Sequence, residues 1–165
     1  PGGADAIFYV YYVDELTTPL SLTQAAVIST IPFAAYSGLR KFEGQKFAHK
    51  FSTEWVKGAG GNGFFKQTAS VKLISLGPQD DVEVQRLLQA TNASVLYKDN
   101  NGVYRILGAQ NGLQSIAGPL QTTGVAETDD VSDMVTLEGA EKTKPLIFDV
   151  GSPTLTLNFI NTHIL

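Results

Sequence analysis

Hydrophobic and polar residues alternate with a period of two over long stretches of the chain, and that period predicts β-strands. In "KFAHKFSTEWVK" (Lys46 to Lys57), Phe47, His49, Phe51, Thr53 and Trp55 share one face and Lys46, Ala48, Lys50, Ser52 and Glu54 the other. "GAGGNG" (Gly58 to Gly63) follows. "FFKQTASVKLISL" then alternates again, with Phe65, Gln67, Ala69, Val71 and Leu73 facing one way. Two alternating runs joined by glycines predict a long antiparallel hairpin around residues 46–76 with a flexible tip. "AIFYVYYV" (Ala6 to Val13) does not alternate. A short, continuous run of β-branched and aromatic residues predicts a strand covered on both faces. The period changes to that of a helix in "GPQDDVEVQRLLQAT", where Asp80 stands as N-cap with Glu83 three residues on. Val84, Leu87, Leu88 and Thr91 form a narrow stripe that predicts a helix lying on a sheet. Ser21 to Ser29, between Pro19 and Pro32, fits a short helix or a long loop.

"YKDNNGVYRILG" (Tyr97 to Gly108) combines acid, amide and glycine as a cation loop would. An EF-hand loop beginning at Asp99 fails, because Val103 stands where an oxygen ligand is needed and Gln110 where a bidentate Glu is needed. A three-residue hairpin loop with a bulge, turning at Asp99-Asn100-Asn101-Gly102, pairs Asp99 with Val103, Lys98 with Tyr104, Tyr97 with Arg105 and Leu96 with Ile106. A tighter Asn101-Gly102 turn would oppose Lys98 to Arg105, a repulsive pair. "QNGLQSIAG" (with Leu113 and Ile116), "MVTLE", "PLIFDV" and "TLTLNFI" are further strand candidates, and "TTGVAETDDVSD" reads as an acidic surface loop. Together these predict a single domain over residues 1–165, mainly β with one flanking α-helix, arranged as an antiparallel sandwich or partly closed barrel with extended N- and C-terminal arms.

Composition narrows the function. Hydrophobic residues make up 43% of the chain and charged residues only 17%. That excludes a disordered chain and suggests surface covered by neighbours rather than by water. A net charge of −4 with few, scattered basic residues argues against nucleic-acid binding, which rests on clustered Lys and Arg. Arg40, Lys41, Lys46 and Lys50 are the densest basic group. The chain has no cysteine, which removes disulfides, thiolate zinc sites and Cys nucleophiles together. No apolar run is long enough to span a membrane, and "PGGADAIFYVYYV" lacks the basic start of a signal peptide.

No constellation in the sequence points to catalysis. Two histidines exist, His49 between phenylalanines on a strand face and His163 at the C-terminus. Neither has an acid and nucleophile around it in a recognisable pattern, and no G-x-S-x-G occurs. Asp80-Asp81 and Asp129-Asp130 are neighbours at a helix start and on a loop, where solvation and helix-dipole complementarity explain them. "GAGGNG" lacks the G-K-[ST] ending of a phosphate loop and sits in a hairpin. Asn92-Ala93-Ser94 matches a glycosylation acceptor, but nothing supplies a secretory context. The expectation is a protein that is not an enzyme and takes no metal or cofactor.

"KDNNGVYRILG", Gly124 with Asp129 or Asp130 in the polar loop, and Thr136, Leu137, Gly139, Glu141 and Pro145 in "MVTLEGAEKTKPLIFDV" follow one another in the C-terminal part of the chain. This succession resembles small structural proteins of tailed phages of Bacteroidetes-type hosts. It covers about the last seventy residues. The order of elements over the whole chain resembles a phage tail-tube protein. That resemblance implies a β-sandwich or barrel with a flanking helix, a long hairpin and terminal arms, assembled into stacked rings, commonly of six. It also implies contacts with other virion tail proteins, passage of DNA without specific binding, manufacture in the host bacterial cytoplasm and residence in the virion tail. An acidic chain suits a lumen through which phosphates must slide.

On that reading the subunit-interface candidates are the hairpin tip (Gly58, Gly60, Gly61, Asn62, Gly63 and Phe64), the N-terminal strand (Tyr9, Tyr11 and Tyr12), the Pro19–Gly44 region and "NFINTHIL", with Phe159 and Ile160. A head–tail connector, tail terminator or capsid decoration protein is the alternative within that class. A carbohydrate- or receptor-binding sandwich is the alternative outside it, with Tyr9, Tyr11, Tyr12 or Trp55 as an aromatic platform. The bland counterpart places those aromatics in the core.

Overall fold

A computed structural model describes residues 4–20, 27–44, 48–74, 78–118, 121–122 and 132–165. In chain order its strands are β1 (Ala4–Tyr12), β2 (Val27–Ile28), β3 (Arg40–Glu43), β4 (Lys50–Lys57) and β5 (Gly63–Ile74). After helix α1 (Pro78–Gln89) come β6 (Ala93–Asp99), β7 (Tyr104–Leu107), β8 (Gln114–Ser115), β9 (Gln121–Thr122), β10 (Ser132–Glu141), β11 (Leu146–Phe148) and helix α2 (Pro153–Thr162). One sheet runs β2-β11-β7-β6-β1-β3; the other runs β4-β5-β10-β8, with β9 also on β10. All pairings are antiparallel except β2 with β11. The sheets pack face to face, are linked by isolated bridges from Gly44 to Leu73 and from Ala93 to Leu113, and do not close into a barrel.

The two-faced burial expected of the first strand is present, and it builds three layers. Phe8, Val10 and Tyr12 point from β1 to the second sheet, meeting Val95 and Tyr97 of β6 and Ala69, Val71, Leu73, Val135 and Leu137 across the interface. Tyr9 and Tyr11 point the other way, with Leu96 and Ile106, and are covered by Leu20, Ile31, Leu39 and Ile160. A central sheet therefore carries apolar residues on both faces, as a fully covered strand must. Helix α1 closes one end of the sandwich through Val84 and Leu87.

The Asp99–Gly102 turn has the anticipated register. Leu96 opposes Ile106, Tyr97 opposes Arg105 and Lys98 opposes Tyr104. The Asp99 amide donates to Val103 O at 3.0 Å, and Gly102 sits at φ +85°.

Several expectations are corrected. "TLTLNFI" is a helix, not a strand, and the C-terminus is no extended arm. Ser152 caps α2 by accepting from the Leu155 amide, Pro153 occupies the first turn, and Thr156 and Ile160 are buried at helical spacing. Helix α1 begins at Pro78, so Asp80 lies inside its first turn rather than at the cap. Thr91 lies beyond its end and is exposed. In the Ser21–Ser29 segment, residues 21–26 lie outside the described residues, while Val27–Ile28 is a strand and not helix. The strand expected around Leu113 and Ile116 shrinks to Gln114–Ser115, with Leu113 buried and Ile116 exposed. Most of the acidic loop, including Gly124, Asp129 and Asp130, also lies outside the described residues.

Candidate functional site: the exposed hairpin and its groove

The β4–β5 hairpin keeps one uninterrupted register from Lys50–Ser70 to Lys57–Gly63. Its inner half is covered: Phe51 stacks on Tyr97 with ring centroids 4.1 Å apart, and Ala69 and Val71 enter the core. Its outer half is not. Trp55 is 54% exposed and Phe64 39%. The tip turns through Gly58, whose amide donates to Asn62 O, and through Gly61 at φ +83°. Gly63 has a separate task. A Cβ there would lie 2.5 Å from the Trp55 ring, so glycine lets the indole fold across the strand onto Phe65, with centroids 4.8 Å apart.

The doublets Trp55-Val56 and Phe64-Phe65 place an apolar residue on each face of this outer half. Trp55 opposes Phe65 on the inner face, and Val56 opposes Phe64 on the outer face. A half-covered strand would alternate; two apolar doublets flanking the glycines are the signal in the sequence that neither face is simply solvated. Val56 and Phe64 join Lys66, Ile116, Glu138 and Ala140 around a shallow groove of about 700 Å³. Lys66 Nζ stands 3.5 Å from a Glu138 carboxylate oxygen on its floor. The groove is not legible in the sequence, because Ile116, just after β8, and Glu138 and Ala140 of β10 reach the hairpin only through the sheet register.

The wall of the groove is held by a buried carboxylate. Glu141 accepts from the Asn111 amide at 2.9 Å and the Gln110 amide at 3.3 Å, and Asn111 Nδ2 donates to Ala140 O at 2.9 Å. Burial raises the Glu141 pKa, against the lowering effect of the backbone amides. Gln67, at the root of the exposed hairpin, donates to Thr143 O at 3.0 Å and accepts from the Gly108 amide at 2.7 Å.

The structure divides the interface candidates. Gly58, Gly60, Gly61, Asn62, Gly63 and Phe64 are together and exposed at the tip. Tyr9, Tyr11 and Tyr12 are buried in the protein's own core, and Tyr11 is wholly inaccessible, its phenol pKa pushed up by burial. Arg40 and Arg86 both lie over the Tyr12 ring, at 4.7 and 5.2 Å, and Glu15 bridges the two guanidinium groups. Ile160 is buried and Phe159 half-buried, stacked on His163 at 4.1 Å. These five apolar and aromatic residues serve intramolecular packing. Of Tyr9, Tyr11, Tyr12 or Trp55, the aromatics expected of a binding platform, the three tyrosines are buried and Trp55 is exposed.

His49 is buried edge-on to Phe8, and its Nδ1 accepts from the Lys72 amide at 3.3 Å. Among the described residues no group of three or more His, Asp or Glu side chains could hold a metal ion. No described helix is long and apolar enough to cross a membrane. Among the described residues of β4, β5 and β10, the register places Lys50, Lys66 and Lys72 with Glu54 and Glu138 on the outer face of the second sheet. No protein-family model, curated protein or solved structure matches the chain.

Proposed function

We propose that this chain is a self-assembling structural subunit of a phage virion, with the tail tube as its place and stacked rings of identical subunits as its architecture. Its work is mechanical: subunits make a conduit through which DNA passes without specific binding, alongside other tail proteins. The observation that carries the reading is the outer half of the β4–β5 hairpin. There Trp55 and Phe64 stand exposed, on a strand pair that keeps one register over the eight residues of β4. Apolar surface of that kind on a projecting element is what an intersubunit contact covers. A tip with glycines at 58, 60 and 61 can adapt to a neighbouring ring. A chain that is only 17% charged suits a subunit enclosed by copies of itself.

The test is to replace Gly58–Asn62 by a two-residue Asn-Gly turn. That turn keeps Lys57 opposite Gly63, so the register and fold are retained. The expected result is a subunit with wild-type circular dichroism that no longer stacks into tubes. Tubes of normal length from this variant would remove the tip from the assembly mechanism.

A further inference from the structure

The second sheet ends at β4, and among the described residues no strand lies beyond it. Natural edge strands are usually short, bulged, interrupted by Pro or otherwise blocked against pairing. β4 is eight residues long, has no Pro and runs without a register shift. Ser52, Thr53, Glu54 and Trp55 are all exposed, so both faces are open in the middle of that edge. Its charges are Lys50, Glu54 and Lys57, which leaves Phe51–Thr53 and Trp55–Val56 uncharged along the edge.

We infer that β4 pairs antiparallel with β4 of a second copy of this chain, about a two-fold axis at Thr53. The symmetry restricts the choice. A two-fold perpendicular to a continuous sheet keeps each face aligned with itself, so the axis must pass at a residue and not between two, and within Lys50–Lys57 Thr53 and Glu54 are the centres that leave the fewest strand residues unpaired. Centring on Glu54 would set Glu54 against its own copy and Phe51 against Lys57. Centring on Thr53 sets Thr53 against Thr53, Phe51 against Trp55 and Ser52 against Glu54. Thr–Thr and aromatic pairs are favourable across strands, whereas directly opposed like charges are not. The same register brings Lys50 diagonally to Glu54 of the other copy, on the outer face that both residues share. It also covers Trp55, the large exposed aromatic of this edge. The product is an isologous dimer with one sheet running β8-β10-β5-β4 through the axis into its copy. This contact takes up Trp55, so the ring assembly proposed above, which needs head-to-tail surfaces, would rest on Phe64 and the glycine tip.

The chain contains no cysteine, so an introduced thiol reports on one position. Residues directly opposed in antiparallel strands have Cα atoms about 4.5–5.5 Å apart, within the roughly 4.4–6.8 Å that a disulfide spans. The two Lys50 residues would be six strand positions out of register, about 20 Å apart. Full-length Thr53→Cys should therefore form a disulfide-linked dimer under mild oxidation at least tenfold faster than Lys50→Cys. In sedimentation, Glu54→Lys should weaken the wild-type dimer at least tenfold, and adding Lys50→Glu to it should restore association. Equal cross-linking at the two positions, or a wild-type chain that stays monomeric, would overturn the inference. Rings in micrographs without Thr53 cross-linking would leave the ring reading standing and remove this one; cross-linked dimers without rings would do the reverse.

Discussion

Replacing Gln67 by leucine tests how the exposed hairpin is anchored. Gln67 is 2% exposed, and its amide joins three separate parts of the chain. Its Nε2 donates to Thr143 O at 3.0 Å, and its Oε1 accepts from the Gly108 amide at 2.7 Å. Gly108 is buried at φ +69°, and its carbonyl already accepts from Ser94 Oγ at 2.7 Å. Leucine has nearly the volume of glutamine, so cavity formation contributes little. The Gly108 N–H would be left buried without its acceptor, a cost of about 1–3 kcal/mol. Thr143 is only half-buried, so its carbonyl can recover a water partner at a cost of under about 1 kcal/mol. Added apolar burial offsets part of this, leaving a net loss of about 2 kcal/mol. That is a substantial fraction of the roughly 5–15 kcal/mol that holds a domain folded. Urea unfolding followed by circular dichroism should show a lower midpoint with an unchanged slope. A Gln67→Leu variant within about 0.5 kcal/mol of wild type would refute the anchor, because surface-like substitutions have effects of that size.

Other consequences follow from single contacts. Gly102→Ala meets no atom within 4 Å of the new Cβ, so its cost is purely that of φ +85°, about 1 kcal/mol, measurable by thermal unfolding. Ser152→Ala removes the cap of α2 and should also cost about 1 kcal/mol, with helical signal lost in the C-terminal segment by amide exchange. Glu141 has a folded pKa raised above its unfolded value, so its contribution to stability is full below the unfolded carboxyl pKa and is lost as pH rises through the folded value. Glu141→Gln should flatten that descending part of the stability–pH profile; an unchanged slope would show that burial does not control this carboxyl.

The strands were legible where alternation or a continuous apolar run was strong. Phe51 and Trp55 of β4, Gln67 and Ala69 of β5, and the Leu96–Ile106 pair all stand on the faces that their spacing implies. Helix α2 was hidden because "TLTLNFI" alternates over its first four residues, while the decisive information lies just before it, in Ser152 and Pro153. Local capping outweighed a short period-two pattern. The roles of Tyr9, Tyr11 and Tyr12 were open because a continuous apolar strand is equally suited to a subunit interface and to a central sheet. Only the third layer, built from Leu20, Ile31, Leu39 and Ile160, decides for the core. The groove beside Phe64 needed the distant residues Ile116 and Glu138, whose approach depends on long-range register rather than on any local motif.

Negative-stain electron microscopy of the purified full-length chain, across a concentration series, bears most directly on the assembly proposal. The account predicts rings and stacked tubes of uniform diameter formed by the chain alone. Well-folded particles that remain small at every concentration, with no rings or tubes, would contradict it.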